Sequence, residues 1–289
     1  MPEFLEPPVD ADLIRHALAE DIGSGDVTTV ATVPAGARST GVIIARQDGV
    51  IAGLPIAELV FRTLDPTLRF TQALAEGQSV EAGDVLANLE GDARAMLTAE
   101  RTALNFLGHL SGIATLAARC AAAVAGTGAA IVDTRKTTPG LRALEKYAVR
   151  AGGARNHRFG LDDGVLIKDN HIKVAGGIPA AVAGARARAS HLLRVEVECE
   201  TESEVRQALD AGADVLLLDN MPLDLLRACV ELVRRQAPRA LIEVSGNIGT
   251  DPARLRAVAE TGVDLISLGA LTHSAPNFDI SLEFASTPN

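Results

Sequence analysis

The stretch LRVEVECETESEVRQALDAGADVLLLDN, residues 193–220, decides the fold. It opens on an apolar run, Leu193–Val197, passes through a helical pattern from Glu202 to Ala211, and closes on a second run, Val215–Leu218. Both runs are short and aliphatic, as strands buried on both faces are. Thr201 with Glu204 three residues on makes a capping box at the helix start, and Gly212 stands where a helix stops. The same unit recurs on either side. Ala130–Val132 and Val165–Ile167 precede it, and Leu241–Val244 and Leu265–Leu268 follow, with helical stretches at Leu223–Arg235 and Pro252–Thr261. Asp251 ahead of Pro252 is a cap before an N1 proline, and Gly262 is a second stop. Repetition of this kind predicts parallel strands with right-handed crossovers, hence an α/β barrel or an open doubly wound sheet. Six units fall short of a full barrel, and no G-x-G-x-x-G follows the first strand, so an incomplete α/β barrel is expected.

Composition narrows the function. At 289 residues the chain is long for one core, so a large domain and a smaller one are expected. With no Trp, one Tyr and seven Phe, stacking platforms for single-stranded nucleic acid are poorly supplied. A net charge of −10 argues further against nucleic acid and against an acidic membrane surface. Cys120, Cys199 and Cys229 are scattered and odd in number, which fits a reducing compartment and neither a disulfide framework nor a zinc site. The acidic, Pro-broken start, Met1 to Pro8, does not read as a signal peptide, and Ile113–Val132 is too weakly apolar for a membrane span. A cytoplasmic protein is expected.

The charge is unevenly spread. All four lysines (Lys136, Lys146, Lys168, Lys173) and five arginines fall between residues 135 and 173, giving this window +5 against −15 elsewhere. A solvated basic helix face is one reading. The other is an anion pocket, because several of these residues sit beside strand ends and Gly-rich turns.

Strand ends are where α/β folds hold their sites, and here nearly every one is polar. Arg135, Lys136, His157, Arg158 and Lys168 are donors suited to carboxylates and phosphates. Glu198 and Asp219 end successive strands and could hold Mg2+ with a polyphosphate, or simply pair with lysines. Ser245-Gly246-Asn247 and Gly269-Ala270 offer small residues and free backbone N–H groups suited to a terminal phosphate. No nucleophile elbow, P-loop or HExxH is present, which fits charge neutralisation and metal-assisted departure of a leaving group. His16, His109 and His191 read as structural or surface residues.

The first ~110 residues look different. Short strands are expected at Gly41–Arg46 and Gly49–Ile51, a turn-rich β segment over 76–86, and a helix from Thr98 to about Leu110. The 76–86 pattern resembles lipoyl and biotinyl carrier domains. Residues 1–135 contain no lysine to modify, so the likeness is structural.

Longer motifs then carry a resemblance. Residues Asp133 to Gly140 (DTRKTTPG), Glu145 to Val149 (EKYAV), Asn156-His157-Arg158, Leu166 to His171 (LIKDNH), Glu20 to Thr29, Ala99 to Asn105 and Gly269 to Ser274 closely resemble the quinolinate phosphoribosyltransferase family, in order along nearly the whole chain. Gly152-Gly153-Ala154 departs from it: the family usually has a third glycine there, so a slightly stiffer turn is expected.

The resemblance implies a type II phosphoribosyltransferase architecture. An N-terminal α/β sandwich domain would span 1–112, joined by the tail 270–289, and an incomplete barrel would span 113–269. It also implies transfer of phosphoribose from phosphoribosyl pyrophosphate to quinolinate, with decarboxylation to nicotinate mononucleotide. The implied assembly is a homodimer whose active sites are shared. Arg135, His157, Arg158 and Lys168 would then hold the quinolinate carboxylates, with Arg101 from the second subunit. Lys136 and His171 would face pyrophosphate, and Glu198 and Asp219 would take Mg2+ and the ribose hydroxyls. Ser245, Gly246, Asn247, Ser267 and Gly269 would take the 5′-phosphate, and Thr134 and Leu268 complete the substrate contacts. A nicotinate-specific or molybdenum-associated relative of the same fold is the nearest rival, since a monocarboxylate needs fewer cations. A non-catalytic metabolite-binding protein is a rival of another class.

Overall fold

The computed structural model describes residues 7–285 apart from Val9. Most of the stretch read against a leader, and the last four residues of the expected tail, therefore lie outside the described residues. The chain begins with α1 (Ala11–Ile22), α2 (Val27–Thr32), β1 (Arg38–Ala45), β2 (Gly49–Val50) and α3 (Leu54–Leu64). It continues with β3 (Arg69–Gln72), β4 (Ser79–Val80), β5 (Val85–Asp92) and the long α4 (Ala93–Ala123). Then come β6 (Ala130–Val132), α5 (Arg142–Ala151), β7 (Val165–Ile167), α6 (Asp169–Ala175) and α7 (Ile178–Arg188). Next are β8 (Val195–Cys199), α8 (Glu202–Asp210), β9 (Val215–Asp219) and α9 (Leu223–Gln236). The last elements are β10 (Leu241–Ser245), α10 (Pro252–Ala259), β11 (Leu265–Ser267), α11 (Ala270–His273) and β12 (Ile280–Phe284).

These elements form two compact units. The first takes the chain up to Ala118, then Ala143–Gly153, and then everything from Ala275 on; the second takes Arg119–Arg142 and Ala154–Ser274. These contact units cut the chain at other points than the expected boundaries at 112 and 269. The expected helix from Thr98 is in fact α4, which starts at Ala93 and runs on to Ala123, and α5 groups with the first unit instead of the barrel. By length and composition α4 could cross a membrane, but half of its most apolar window is buried in protein contacts, as in a core helix.

In the first unit an antiparallel sheet runs in the order β12-β1-β5-β3, so the chain's tail does pair with its N-terminal strands. The face of α3 carrying Leu54, Ile56, Ala57, Val60 and Phe61 is buried, and Phe61 lies 6.2 Å from Phe70 of β3, ring centre to ring centre. Glu76 serves as a remote cap for α3. Its carboxylate accepts from Gly53 N (2.7 Å) and Leu54 N (2.8 Å), and the buried Tyr147 hydroxyl of α5 donates to the same group. Burial raises the Glu76 pKa against these bonds. Tyr147→Phe leaves a buried carboxylate one donor short, so a loss of about 1–3 kcal/mol is expected. A thermal melt should fall by several degrees; an unchanged melt would remove the Tyr147 bond from the account of stability. His109 Nε2 lies 2.9 Å from Glu145 Oε1, in keeping with its reading as a structural histidine.

The second unit is a six-stranded sheet, parallel in every pair, in the order β6-β11-β10-β9-β8-β7. Five consecutive strands lie side by side in one direction, which is winding around a barrel; a doubly wound sheet would reverse part-way. β6 then pairs with the last strand, β11, as closure requires. The pair that would complete the ring, β6 with β7, is not made, so the barrel is incomplete, as expected.

Strand positions agree with the aliphatic runs to within one residue except at β8. Leu193 belongs to a turn, its N–H donating to Ser190 O (3.0 Å), and the strand begins two residues later at Val195. The capping box forms on α8, with Glu204 N donating to Thr201 Oγ1 (3.2 Å) and Thr201 N to Glu204 (3.0 Å). Ala154 is not in the left-handed region whereas Gly153 is (φ 83°), so the missing third glycine does not strain the backbone.

One device appears twice at the amino ends of the strands. Asp214 accepts from Val195 N (2.7 Å) and pairs with Arg186 of α7, which also donates to Gly212 O (2.7 Å). Asp264 accepts from Ile242 N (2.7 Å) and pairs with Arg234 of α9, which donates to Gly262 O (2.8 Å). In each case an Arg, a glycine carbonyl and an Asp fasten a helix and the strand that follows it to the start of the strand after that.

Candidate active site

A cleft of about 750 Å³ opens at the opposite rim, beyond the carboxyl ends of the strands. Side chains two apart on a strand share a face, so Glu243 and Ser245, Leu217 and Asp219, and Leu166 and Lys168 all point into it. The segment after α5 enters the gap between β6 and β7. Arg155 bridges Val132 in parallel fashion, as a strand there would. Buried Asp133, just past β6, then holds the following turn, accepting from Asn156 Nδ2 (2.5 Å) and His157 N (2.8 Å). The gap in the barrel is therefore where His157 and Arg158 reach the cleft.

Arg135, Arg158 and Lys168 make one corner cationic. Arg158 anchors one guanidinium nitrogen on Gly164 O (2.8 Å), and Lys168 pairs with Glu198. Arg135 Nε and Arg158 Nε are buried with no acceptor among the described residues. Burial, with Arg135 close by, pulls the Arg158 pKa below its usual value. Buried donors left unpaired are costly, so this corner suits an acceptor that the described residues do not supply.

Beneath it lie two carboxylates, Glu196 and Glu243. His157 Nε2 faces both, at 3.3 and 3.5 Å, while its Nδ1 accepts from Arg158 N (2.7 Å). Burial disfavours the charged imidazole but the two carboxylates outweigh it, raising the His157 pKa. The Arg158 N–H at Nδ1 favours the tautomer that carries its proton on Nε2, directed at the two glutamates. His157, Glu196 and Glu243 are the set of three metal-type ligands found among the described residues. With a proton on Nε2, that set reads as a hydrogen-bonded cluster.

The other end of the cleft is built from small residues in unusual backbone conformations. Asn220 (φ 53°) and Asn247 (φ 46°) are the non-glycine residues with positive φ among those described, and both follow strand ends here. Asp219 accepts from Ser245 Oγ and from Asn220 Nδ2 (2.6 Å), and Asn247 Nδ2 donates to Asn220 Oδ1 (3.0 Å). Ser267 is buried, its hydroxyl on Val244 O (3.3 Å). A Cβ on Gly269 would press on Lys136 Cδ at 3.0 Å.

The expected site residues are thus largely brought together. Thr134, Arg135 and Lys136, His157 and Arg158, Lys168, Glu198, Asp219, Ser245 to Asn247 and Ser267 to Gly269 line this single cleft. Two residues stand apart. Arg101 is exposed on α4 of the first unit. His171 lines a neighbouring, more apolar pocket, and its Nδ1 accepts from Lys168 N (3.0 Å), so it caps α6 instead of facing the cleft. Glu243, Asn220 and His273 line the cleft unanticipated. Glu243 had a signal, an acid inside the aliphatic run Leu241–Val244.

Comparison with known proteins agrees with this geometry. Residues 26–111 match the quinolinate phosphoribosyl transferase N-terminal domain and residues 113–283 its C-terminal domain. The chain belongs to the quinolinate phosphoribosyl transferase family. Among curated relatives, a probable nicotinate-nucleotide pyrophosphorylase [carboxylating] of Synechocystis sp. is 46% identical over 93% of this chain and 90% of its own length. The Mycobacterium leprae nicotinate-nucleotide pyrophosphorylase [carboxylating] is 44% identical over 94% of this chain and 96% of its own. The solved Francisella tularensis nicotinate-nucleotide pyrophosphorylase superposes with a TM-score of 0.90 at 40% identity, covering 96% of this chain and 98% of that one. Family membership thus bears out the expected barrel and the separate N-terminal sheet unit.

Proposed function

We propose that the chain transfers phosphoribose from phosphoribosyl pyrophosphate to quinolinate with decarboxylation, releasing nicotinate mononucleotide, CO2 and pyrophosphate in de novo NAD synthesis. The observation that carries this reading is the pair of buried, unpartnered guanidinium N–H groups of Arg135 and Arg158 beside Lys168. Such a corner suits two carboxylates on a flat ring. His157, with Nδ1 accepting from Arg158 N and Nε2 facing the two glutamates, shapes the corner and does not itself grip the substrate.

Arg135, Arg158 and Lys168 orient the ring so that its nitrogen faces the ribose carbon that carries pyrophosphate. Gly246, Asn247 and Gly269 leave backbone N–H groups open to the 5′-phosphate, with Ser245 and Ser267 beside them. Glu198 and Asp219 offer hard carboxylate oxygens on neighbouring strands and would hold Mg2+, which when bound neutralises the departing pyrophosphate. Lys136, exposed at the rim, adds charge on that side. An oxocarbenium-like ribose is stabilised by the nearby acids, and the ring nitrogen, cationic once ribosylated, eases loss of the adjacent carboxylate. An assay with Mg2+, phosphoribosyl pyrophosphate and either quinolinate or nicotinate tests the reading. Nicotinate mononucleotide with CO2 from quinolinate is expected; turnover of nicotinate alone would overturn it.

The proposal includes a homodimer in which Arg101 of a second copy completes the cation set. Its exposure on α4 supports this. Mixing inactive Arg101→Ala and Lys136→Ala proteins should restore partial activity. Failure despite subunit exchange would argue against shared sites. Three buried, unbridged cysteines support action in the reducing cytoplasm.

A further inference from the structure

The proposed reaction consumes a proton: when the carboxylate beside the ring nitrogen leaves as CO2, the ring carbon must gain hydrogen. We infer that Glu243 supplies it as a general acid from the floor of the cleft. The inference rests on the proposed reaction and goes beyond it.

Position singles out this residue. Glu243 lines the cleft yet is only 2% exposed, on the central part of β10. Arg135, Arg158, Lys168 and Glu243 line the same cleft, and His157 joins Arg158 N at Nδ1 to both glutamates at Nε2, so the carboxylate clamp and the acid pair adjoin. The other candidates there are committed. Arginines do not give up protons near neutrality, Lys168 is kept charged by Glu198 and by the ring carboxylate it would hold, and the His157 Nε2 proton is directed at the two glutamates.

The surroundings also explain why a proton resides on Glu243. Glu196 faces it from β8, His157 from the segment after α5, Lys168 from the end of β7 and Ser267 from β11, while β9 presents Leu217. Glu196 Oε1 is buried without a partner among the described residues. A second ionised carboxylate beside it would be repelled, whereas a protonated one is tolerated. Burial, reinforced by Glu196, pushes Glu243 up to about 7. An acid of that strength is poised for transfer at physiological pH.

The step balances. The bond from ring carbon to carboxylate breaks, CO2 departs, and the electron pair stays on the carbon. That pair takes the Glu243 proton, leaving a carboxylate that water re-protonates before the next turnover.

Glu243→Gln keeps the size and hydrogen bonding but has no acidic proton. Pyrophosphate and CO2 are measured in a single turnover with quinolinate and phosphoribosyl pyrophosphate. The variant is expected to release pyrophosphate at least tenfold faster than CO2 and to accumulate the ribosylated dicarboxylate, with Glu243→Asp restoring part of the CO2 release. In the wild type, CO2 release should fall relative to pyrophosphate release as pH rises above about 7, because the acid form is lost there. Equal release of both products by Glu243→Gln, whether at the wild-type rate or uniformly slowed, would overturn the inference. If the variant fails to fold by thermal melt, the wild-type profile decides, and a product ratio flat to pH 9 overturns it. A wild type that releases no pyrophosphate with quinolinate refutes instead the proposed reaction on which the inference rests.

Discussion

Arg135→Ala is expected to lower kcat/KM for quinolinate by about 30- to 5,000-fold, corresponding to roughly 2–5 kcal/mol for a desolvated charged contact. The size follows from burial. Arg135 Nε has no acceptor among the described residues, which suits a partner on the ligand, and Arg158 and Lys168 stand elsewhere and cannot replace its planar fork. The neighbouring Arg158 would lose a repelling charge and regain part of its usual basicity, which recovers only a fraction of the loss. Arg135→Lys should fall between, because it keeps the charge without the two-pronged geometry. Steady-state kinetics checks this, and an alanine variant with wild-type KM and kcat would remove Arg135 from the clamp.

Gly246→Ala should be nearly as damaging, by a different route. Gly246 has φ 82°, and an added Cβ would run into the Asn220 side-chain amide and approach the Asn220 backbone N to 2.8 Å. Asn220 already holds a left-handed conformation and bonds Asp219 and Asn247, so it has little room to retreat. The left-handed backbone alone costs a Cβ-bearing residue about 1–2 kcal/mol. We expect lower thermal stability together with at least a tenfold rise in KM for phosphoribosyl pyrophosphate. Normal kinetics in a folded variant would separate this turn from phosphate binding.

Much of the barrel was legible because its strands are short aliphatic runs between well-capped helices. Val215–Leu218 and the Thr201–Glu204 box need no tertiary knowledge. Other helices carry no such signal. In α7 only Ile178 and Val182 are buried, so apolar periodicity is nearly absent, and α6 has no buried residue at all. The β8 boundary failed because Leu192 and Leu193 look like strand residues, yet Leu192 is 80% exposed and both follow a turn at Ser190.

The site was legible where polar residues stand at strand ends, and blurred where side-chain direction decides. His171 shares a motif with Lys168 but turns back to cap its own helix. His157 looked like one more cation until its ring nitrogens met the Arg158 N–H and two glutamates. Glu243 stayed hidden because a lone acid in a strand gives no sign of which face it takes, or of what faces it across the barrel.

The paired Arg–Gly–Asp fastenings at the amino ends of β8 and β10 give the barrel a hull that is independent of its deck. Because Asp214 and Asp264 hold strands together from below, the upper loops carry no duty of closure. The deck can therefore tolerate an unfinished ring, strained asparagines and unsatisfied arginines, and descendants of this chain could exchange one substrate for another there without relearning how to fold.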